Sequence, residues 1–232
     1  MCGRYVSPDS GTIERVWRIR QAACKAFPRC FNVLPGATVP VLRRDAESAL
    51  VLIQARWGFI PPWWNQSKPP EYCFTTRCED AARKPMWQPA YRSARCVIPA
   101  DGWYEWSGAE RPGPDPAKAE DKRQPHFLFR ADGPVGFAGV MSLWKLPGHP
   151  PLITCAILTC AASPNLARIH PRMPVVLPHE ALAYWLDPRR RALAEIGAIL
   201  AQSITDFSHY PVSKRLNNAI EDDEALVKPI AS

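Results

Sequence analysis

Proline is spread along the whole chain and limits what it can fold into. The sequence has 26 prolines in 232 residues, about twice the usual share of roughly 5%. Because proline lacks a backbone N–H and interrupts helices, long regular helices are not expected to dominate. The 26 prolines and 12 glycines together stay below the roughly 25–30% that is typical of disordered chains. We therefore expect a folded chain built from short elements.

Seven short β-prone runs lie between these prolines, glycines and aspartates. They are Thr38–Leu42, Ala49–Trp57, Arg95–Pro99, Trp103–Trp106, His126–Arg130, Val135–Leu143 and Leu152–Cys160. Short runs rich in β-branched and aromatic residues predict strands. Their number predicts a large mixed or antiparallel sheet.

Helical patterns are few and short. Apolar residues from Ser10 to Phe27 follow helical spacing, which predicts an amphipathic helix. Ser163-Pro164 is typical of a helix start, and His179–Leu186 and Arg189–Gln202 predict two further helices. The predicted fold class is α+β. The polar segment from Ser107 to Gln124 is expected to be a flexible surface loop.

The charge balance favours a polyanionic partner. Lys and Arg exceed Asp and Glu by seven charges, and a positive surface gains free energy by releasing counterions from phosphates.

The longest apolar run, from Leu152 to Ala162, has about half the length of a membrane span. The N-terminus shows no secretory pattern, so we expect a cytoplasmic protein.

The eight cysteines predict neither a disulfide framework nor a structural metal. No Cys-x-x-Cys pair and no paired histidines accompany them, unlike a zinc site, and cytoplasmic thiols stay reduced. Cys96, Cys155 and Cys160 lie in apolar, β-branched surroundings and are predicted to be small core residues.

Cys2 differs because it follows the initiator methionine. Removal of Met1 would leave a chain that begins with an amine and a thiol on adjacent carbons. Their ordinary pKa values are about 7.7–8.0 and 8.5, so both nucleophiles are partly available near neutral pH. Such a pair condenses with an aldehyde to a Schiff base, and the thiol then closes a five-membered thiazolidine ring. Taken alone, a cysteine can also occupy the second position by chance, without any role in the chemistry.

Two residues can supply the proton transfers that imine formation needs. Glu105 is bracketed by aromatic residues in Gly102–Trp106, and His170 lies in the segment Ile169–Pro174. Each also has an ordinary structural interpretation, as a glutamate paired with an arginine or as a core histidine.

Adjacent tryptophans offer a stacking surface. Trp63 and Trp64 follow two prolines, and stacking of a nucleic-acid base on an aromatic side chain contributes about 1–3 kcal/mol. Arg4, Arg77 and Arg172 can line a cationic groove beside them. Burial of both indoles in the core is the alternative.

Together these segments resemble the SRAP (SOS response-associated peptidase) family, whose members link covalently to abasic sites in single-stranded DNA. The resemblance covers nearly the whole chain, so a single domain over 1–232 is expected. It rests on Met1–Arg4, Asn32–Gly36, Trp57–Pro61, Arg77–Glu79, Gly102–Trp106, Ile169–Pro174, Val212-Ser213 and Asn217.

The resemblance implies a bifurcated, barrel-like sheet with flanking short helices and a cleft that receives the abasic sugar. It also implies roles for three side chains. Cys2 corresponds to the linking residue, Glu105 to the acid–base glutamate, and His170 to the histidine that helps to open the sugar ring.

The resemblance further implies a set of DNA contacts. They are Arg4, Arg77, Arg172, Asn32 and the aromatic wedge Trp63 and Trp64. The expected partner is single-stranded DNA with abasic sites, bound by a monomer that needs no metal, nucleotide or membrane.

One position departs from the family pattern. Thr75 stands where the family has an active-site asparagine, and a hydroxyl offers fewer hydrogen bonds than an amide. Crosslinking through Cys2 is the leading hypothesis. Two alternatives remain, a non-covalent DNA-binding protein in which Thr75 weakens the chemistry, and a thiol peptidase that uses Cys2 with His170 or Glu105 as base.

Overall fold

Short strands dominate the protein in the computed structural model, which describes residues 2–19, 24–108 and 123–230. These described residues form thirteen β-strands, five α-helices and two 3₁₀ helices. The strands are β1 (Tyr5–Ser7), β2 (Cys30–Val33), β3 (Thr38–Arg44), β4 (Leu50–Trp57), β5 (Thr75–Arg77), β6 (Arg95–Ala100), β7 (Gly102–Ser107), β8 (Gln124–Phe129), β9 (Val135–Trp144), β10 (Leu152–Ala161), β11 (Arg172–Pro174), β12 (Val176–Leu177) and β13 (Ser208–Pro211). The helices are α1 (Ser10–Trp17), α2 (Cys78–Ala81), α3 (Gln88–Ser93), α4 (His179–Trp185), α5 (Leu193–Leu200) and the 3₁₀ helices Lys214–Asn217 and Glu224–Val227.

Five strands close into a barrel. Hydrogen-bonded neighbours follow the order β10, β4, β3, β6, β9 and return to β10. Strands β10 and β4 are parallel, and the other four pairings are antiparallel. Closure pairs both edges of these strands and so removes the exposed edges that an open sheet would have.

Strand β10 extends beyond the barrel and branches the sheet. Its last residues pair in parallel with β5, with Ile157 opposite Thr75, and antiparallel with β11, with Ala161 opposite Arg172. The parallel pairings make the sheet mixed. The branching brings β5 and β11 to opposite sides of one strand.

A second sheet has the order β13, β8, β7, β1, β2 and is antiparallel throughout. Its central strand β7 follows β6 after one residue, Asp101. Tyr5 of β1 lies opposite Trp103 of β7. This register places the N-terminal residues of the chain beside the second half of β7.

The core separates into two large clusters because side chains alternate along the strands. On β10, Cys155 and Ile157 belong to the cluster that includes Cys2 and Trp103. Ala156 and Leu158 belong to the other cluster. That second cluster contains residues from α1, α3, α4 and α5, so these helices cover the opposite face of the barrel strands.

The α+β class and the branched, barrel-like sheet are confirmed. Each predicted strand is present with ends that differ by no more than two residues. Cys96 and Cys155 are buried as expected, whereas Cys160 is half-buried. All eight cysteines lie in the described residues and are free thiols.

The first helix is shorter than predicted. It ends at Trp17 because Arg18 adopts a left-handed conformation, with φ of 53°, and its N–H bonds to the carbonyl of Glu14. Residues 20–23 of the predicted helix lie outside the described residues. Phe27 lies outside any helix or strand, and its carbonyl accepts a hydrogen bond from the backbone N–H of Ser10 at 3.1 Å.

The predicted helix start at Ser163-Pro164 is wrong. Residues 163–170 instead form consecutive turns, in which Ile169 N–H bonds to Leu166 O at 2.8 Å. The side-chain amide of Asn165 donates to Phe207 O at 3.1 Å and ties this turn segment to the second sheet. The segment keeps two hydrogen bonds of the helical type, from Ala167 N–H to Ser163 O and from His170 N–H to Leu166 O, but they do not continue into a regular helix.

Two other boundaries also change. The last α-helix covers only Leu193–Leu200 of the predicted Arg189–Gln202. Arg189 lies before it, with its guanidinium bonded to the Asp187 carboxylate at 2.9 Å. Ser107 and Gln124, the predicted loop ends, close β7 and begin β8, and residues 109–122 of that loop lie outside the described residues.

Candidate functional site

Cys2 is buried beside the carboxylate of Glu105. Its side chain and backbone are 2% exposed, and its backbone N–H donates a hydrogen bond to Glu105 Oε1. The antiparallel pairing of β1 with β7 causes this contact, since Tyr104 N–H bonds to Arg4 O at 3.0 Å. The nitrogen that Met1 removal would convert to an amine therefore lies at a carboxylate.

The Cys2 thiol is held in its protonated form. Burial raises the pKa of the Cys2 thiol well above its ordinary value, and the negative charge of Glu105 raises it further. A neutral thiol is a weak nucleophile, because the thiolate is the reactive species. The thiol therefore needs a base at the moment when it attacks.

Glu105 is the group placed to act as that base. The residue is 3% exposed and projects from β7 on the same face as Trp103, toward the cluster that contains Cys2. His170 Nδ1 lies 3.8 Å from Glu105 Oε1. Cys2, Glu105 and His170 are thus brought together, as the resemblance implies.

The backbone of Arg172 fixes the His170 ring. His170 Nδ1 lies 2.9 Å from Arg172 O and 3.1 Å from Arg172 N. It can donate to the first or accept from the second, according to its tautomer. The turn segment 163–170 ends at this residue, so its packing on the second sheet positions the imidazole beside Glu105.

Thr75 contributes an unsatisfied hydroxyl. It is 7% exposed, and within the described residues its buried Oγ1 has no hydrogen-bond partner. Leaving a buried polar group unpaired costs about 1–3 kcal/mol. Its register partner, Ile157, packs in the same cluster as Cys2. An unpaired hydroxyl in this position is available to a bound molecule.

The Glu79 carboxylate holds the guanidinium of Arg172 in place, a contact that the sequence did not predict. Its guanidinium forms two parallel hydrogen bonds to Glu79, at 2.9 and 3.0 Å, and a third to Thr159 O at 2.6 Å. The hydrogen bonds from Arg172 lower the pKa of Glu79 to about 2. Glu79 belongs to the motif Arg77–Glu79, yet nothing in that motif indicates a partner 93 residues away.

Arg4 and Asn32 are engaged with the C-terminal segment. Arg4 Nη1 donates to Asn32 Oδ1 at 2.8 Å and to Leu216 O at 2.7 Å. The side-chain amide of Asn32, which is 3% exposed, donates to Glu221 O at 2.7 Å. Burial lowers the pKa of Arg4. Both residues therefore order the polypeptide around Cys2.

Arg77 and Trp63 are the exposed members of the expected DNA contacts. Arg77 ends β5 with an exposed side chain and forms no ion pair with any described residue. Trp63 is 62% exposed. Trp64 is half-buried, and its Nε1 donates to Lys68 O at 2.9 Å.

A cleft of 480 Å³ lies between residues 68–74 and the end of β4. Its lining includes Arg56, Lys68, Tyr72 and Phe74, and it contains neither Cys2 nor Glu105. It adjoins the site through Phe74, which precedes Thr75 and whose carbonyl accepts a hydrogen bond from Ile157 N–H. The cleft thus offers Arg56 and aromatic groups on one side of the site, and Glu71, which also lines it, is paired with Lys68 at 2.8 Å.

In the described ranges, no three His, Cys, Asp or Glu side chains come together in a way that could hold a metal ion. No helix in the described part of the chain is long and apolar enough to cross a membrane.

The sequence profile of the SOS response associated peptidase (SRAP) family matches residues 1–219. The chain belongs to the SRAP family. This match spans the elements that carry Cys2, Thr75, Glu105 and His170, and it confirms the resemblance seen in the motifs.

Several SRAP relatives have names that describe their activity. The chain is 32% identical to the abasic site processing protein YedK of Escherichia coli, over 86% of this chain and 84% of YedK. It is 30% identical to the abasic site processing protein YoqW of Bacillus subtilis, over 98% and 99%. Identity to the abasic site processing protein HMCES of Gallus gallus is 31%, over 86% and 66%.

Solved structures agree with the SRAP fold. A protein from Bacteroides thetaiotaomicron has a TM-score of 0.80 with 18% identity, covering 99% of this chain and 100% of that one, and this likeness shows the fold alone. A phage-related protein from Bordetella bronchiseptica has a TM-score of 0.68 with 28% identity, covering 92% and 95%.

Sequence reasoning missed His126, which lies directly opposite Glu105 on β8. Alternation within the predicted strand His126–Arg130 places His126 on the face of Leu128 but does not say which β7 residue it opposes. A short turn would fix that register, whereas β7 and β8 of this SRAP chain are joined by a long segment.

Proposed function

We propose that this protein processes abasic sites in DNA, and that it captures the aldehyde of an abasic sugar in single-stranded DNA through Cys2. The observation that carries the proposal is the contact between the Cys2 nitrogen and the buried Glu105 carboxylate. The names of YedK, YoqW and HMCES support the abasic site as the target. The covalent chemistry is inferred from the geometry of the site.

The first step forms a Schiff base. After Met1 is removed, the α-amine of Cys2 attacks the C1′ aldehyde of the ring-opened sugar and gives a carbinolamine. Loss of one water molecule then gives the imine. Glu105 accepts a proton from the attacking amine and returns one to the departing hydroxyl, because its carboxylate already contacts this nitrogen.

The second step closes the thiazolidine ring. The thiol sulfur adds to the imine carbon, a C–S bond forms, and the thiol proton passes through Glu105 to the imine nitrogen. One water molecule is the sole by-product of the two steps. The raised pKa of Cys2 makes this transfer by Glu105 necessary near neutral pH.

His170 and Thr75 act on the sugar. An abasic sugar reacts as an aldehyde only after its ring opens, and this requires proton transfer at a ring oxygen. His170 is held by Arg172 with its ring close to Glu105. The unpaired hydroxyl of Thr75 is suited to bond a sugar hydroxyl or the phosphate next to it.

Exposed groups supply the binding of single-stranded DNA. Arg77 offers an uncompensated charge, and Trp63 offers a ring on which a base can stack. Arg56 lines the adjoining cleft and adds a further positive group there, whereas Lys68 is paired with Glu71 at 2.8 Å. A duplex would keep its bases paired and would leave Trp63 without a stacking partner.

A denaturing gel tests the proposal. The trimmed protein is incubated with a single-stranded oligonucleotide that carries one abasic site, and N-terminal mass spectrometry confirms loss of Met1. We expect a shifted band that survives SDS and boiling. Cys2→Ala should abolish the band, and Cys2→Ser should give at most a labile imine that needs borohydride trapping. Absence of the wild-type band, or an equal band for Cys2→Ala, contradicts the proposal.

A non-covalent DNA-binding protein is the second candidate, and Thr75 is the observation that favours it. A threonine in place of an asparagine leaves a hydroxyl without partners and removes an amide from the site. This candidate predicts salt-sensitive binding without an SDS-stable product. The peptidase alternative would need the same base for the same Cys2 thiol, whose pKa is raised by burial, and no observation of the site favours it over the other two candidates.

A further inference from the structure

A row of polar side chains extends from Glu105 toward the edge of the second sheet. His126 is the register partner of Glu105, and Ser107 lies two residues further along β7. Alternation along the strand places Glu105 and Ser107 on one face, and directly opposed residues share a face, so His126 belongs to it too. Ser107 Oγ lies 2.7 Å from His126 Nε2.

The row continues onto β13 and the turn segment 163–170. The ring centroids of His126 and His209 are 5.6 Å apart. Arg168 Nη2 lies 3.4 Å from His209 Nε2. We call Ser107, His126, His209 and Arg168 the His–Arg cluster. Arg168 precedes His170 by two residues, so the cluster is a direct neighbour of the site around Cys2.

The cluster gathers groups whose charged forms all have the same, positive sign. Burial lowers the pKa of His126, and His209 and Arg168 lower it further. Burial and then the Arg168 charge lower the pKa of His209. Within the described ranges, Arg168 and His126 are the charged or titratable groups that face His209, and Glu105 lies beyond His126 on β7.

An anion would relieve this arrangement. Among the described residues, no carboxylate forms an ion pair with Arg168, His126 or His209. Arg168 is exposed and His209 is half-exposed. His209 Nδ1 is buried, so Nε2, which faces Arg168, is the ring atom that a phosphate oxygen can reach.

We infer that Arg168 and His209 bind one backbone phosphate of the DNA strand, with His126 and Ser107 positioning the His209 ring. The inference rests on the proposed function, since the phosphate belongs to the strand whose lesion meets Cys2. A phosphate oxygen replaces the contact between Arg168 and His209. His209 Nε2 takes a proton from solvent and donates it to that oxygen in a hydrogen bond.

The first measurement uses undamaged DNA, so that it is independent of crosslinking. A fluorescent oligothymidylate of about 15 nucleotides fills a single-stranded site of this kind, and its affinity is measured by anisotropy over a range of salt. Loss of one phosphate contact reduces the slope of log affinity against log salt by about 0.7. We expect Arg168→Gln to show this reduction and to bind about threefold to tenfold more weakly at low salt.

A matched control distinguishes the loss of a local phosphate contact from the loss of one positive charge anywhere on the surface. Arg92→Gln removes one exposed charge from α3, whose buried residues pack in the cluster opposite to that of Cys2. It should leave the slope unchanged. Arg168→Lys keeps the charge and should recover the wild-type slope. Equal slopes for Arg168→Gln and Arg92→Gln, or no recovery with lysine, overturn the inference.

The second measurement tests whether His209 takes up a proton when the DNA binds. Phosphate raises the pKa of His209 in the complex, so binding takes up a proton and affinity rises as pH falls through the range between the free and bound values. One linked proton changes affinity by at most about tenfold per pH unit. Between pH 7.5 and 5.5, wild type should gain about threefold to tenfold more than His209→Gln. Identical pH dependence in the two proteins overturns the inference.

Failure of this inference differs from failure of the proposed function. If the abasic oligonucleotide gives no SDS-stable band but the two binding measurements behave as expected, the cluster is a phosphate site on a non-covalent DNA-binding protein. If the band forms and both measurements show no effect of Arg168 and His209, the crosslinking function stands and the cluster is not a DNA contact.

Discussion

The backbone nitrogen of Cys2 donates a hydrogen bond to the carboxylate of Glu105, although 103 residues separate them in the sequence. The pairing of β1 with β7 creates this contact. An amine generated at this nitrogen would be held against its own general base before any substrate arrives. Preorganisation of this kind avoids the cost of assembling the reacting groups during the reaction.

Replacing Glu105 by glutamine should slow crosslinking strongly. The amide keeps the size of the side chain but cannot accept a proton, and loss of a general base typically costs about a hundredfold to ten-thousandfold in rate. The measurement is a time course of SDS-stable adduct under single-turnover conditions. Glu195→Gln, which alters an exposed carboxylate on α5, is the control. A Glu105→Gln rate equal to that of the control would remove Glu105 from the mechanism.

Thr75 allows a test that separates stability from activity. Because its buried Oγ1 is unpaired, Thr75→Val should raise the free energy of unfolding by about 1 kcal/mol while it slows crosslinking. Thr75→Asn should accelerate crosslinking by about tenfold or more, since an amide offers one acceptor and two donors. Urea unfolding and the adduct time course measure the two effects.

Thr159→Val is the matched control for the stability effect. Thr159 Oγ1 donates to Thr76 O at 3.2 Å, so its removal should lower the free energy of unfolding by about 1 kcal/mol. If Thr75→Val destabilises the protein as much as Thr159→Val does, the Thr75 hydroxyl has a partner in the free protein. Its proposed role toward the sugar would then lose its support.

The seven strands of six or more residues could be predicted because they are β-prone runs separated by proline, glycine and aspartate, whereas β2, β5, β11, β12 and β13, with two to four residues each, are too short to show a pattern of their own. The errors have tertiary causes. The end of α1 depends on the left-handed Arg18, and the turns at 163–170 depend on Asn165 reaching the Phe207 carbonyl. Neither the αL residue nor the long-range hydrogen bond leaves a periodic pattern in the sequence.

The site could be predicted only in part. Cys2, Glu105 and His170 were found through motifs that resemble a family, and the structure brings them together. The Glu79–Arg172 pair joins residues 93 positions apart. Its existence depends on β5 and β11 flanking the end of β10, and no local pattern encodes this arrangement.

The Glu79–Arg172 pair should make stability depend on pH. The pKa of Glu79 falls from 4.5 to about 2 in the folded protein, so its contribution is present above its unfolded pKa and is lost as pH falls from about 4.5 toward 2. Because the Glu79 side chain is 49% exposed, solvent screening limits this contribution to about 1 kcal/mol.

Urea unfolding of wild type and Glu79→Gln at pH 7, 5, 4 and 3 checks this dependence. The difference in free energy of unfolding between the two proteins should be constant from pH 7 to 5 and should shrink at pH 4 and 3. A difference that grows in acid would mean that Glu79 is paired in its protonated form. High salt should also reduce the difference at pH 7.

Trp63 should contribute to DNA binding without contributing to stability. It is 62% exposed, and loss of one base–aromatic stack costs about 1–3 kcal/mol, or about fivefold to 150-fold in affinity. Trp63→Ala should therefore weaken binding of an undamaged oligothymidylate by this factor, while its free energy of unfolding stays within about 0.5 kcal/mol of wild type. The control is Tyr184→Ala, which removes an aromatic side chain of α4 that is 54% exposed. It should change neither the affinity nor the free energy of unfolding. Equal losses of affinity for the two variants would show that exposed aromatic area in general, and not a base stack on Trp63, governs binding.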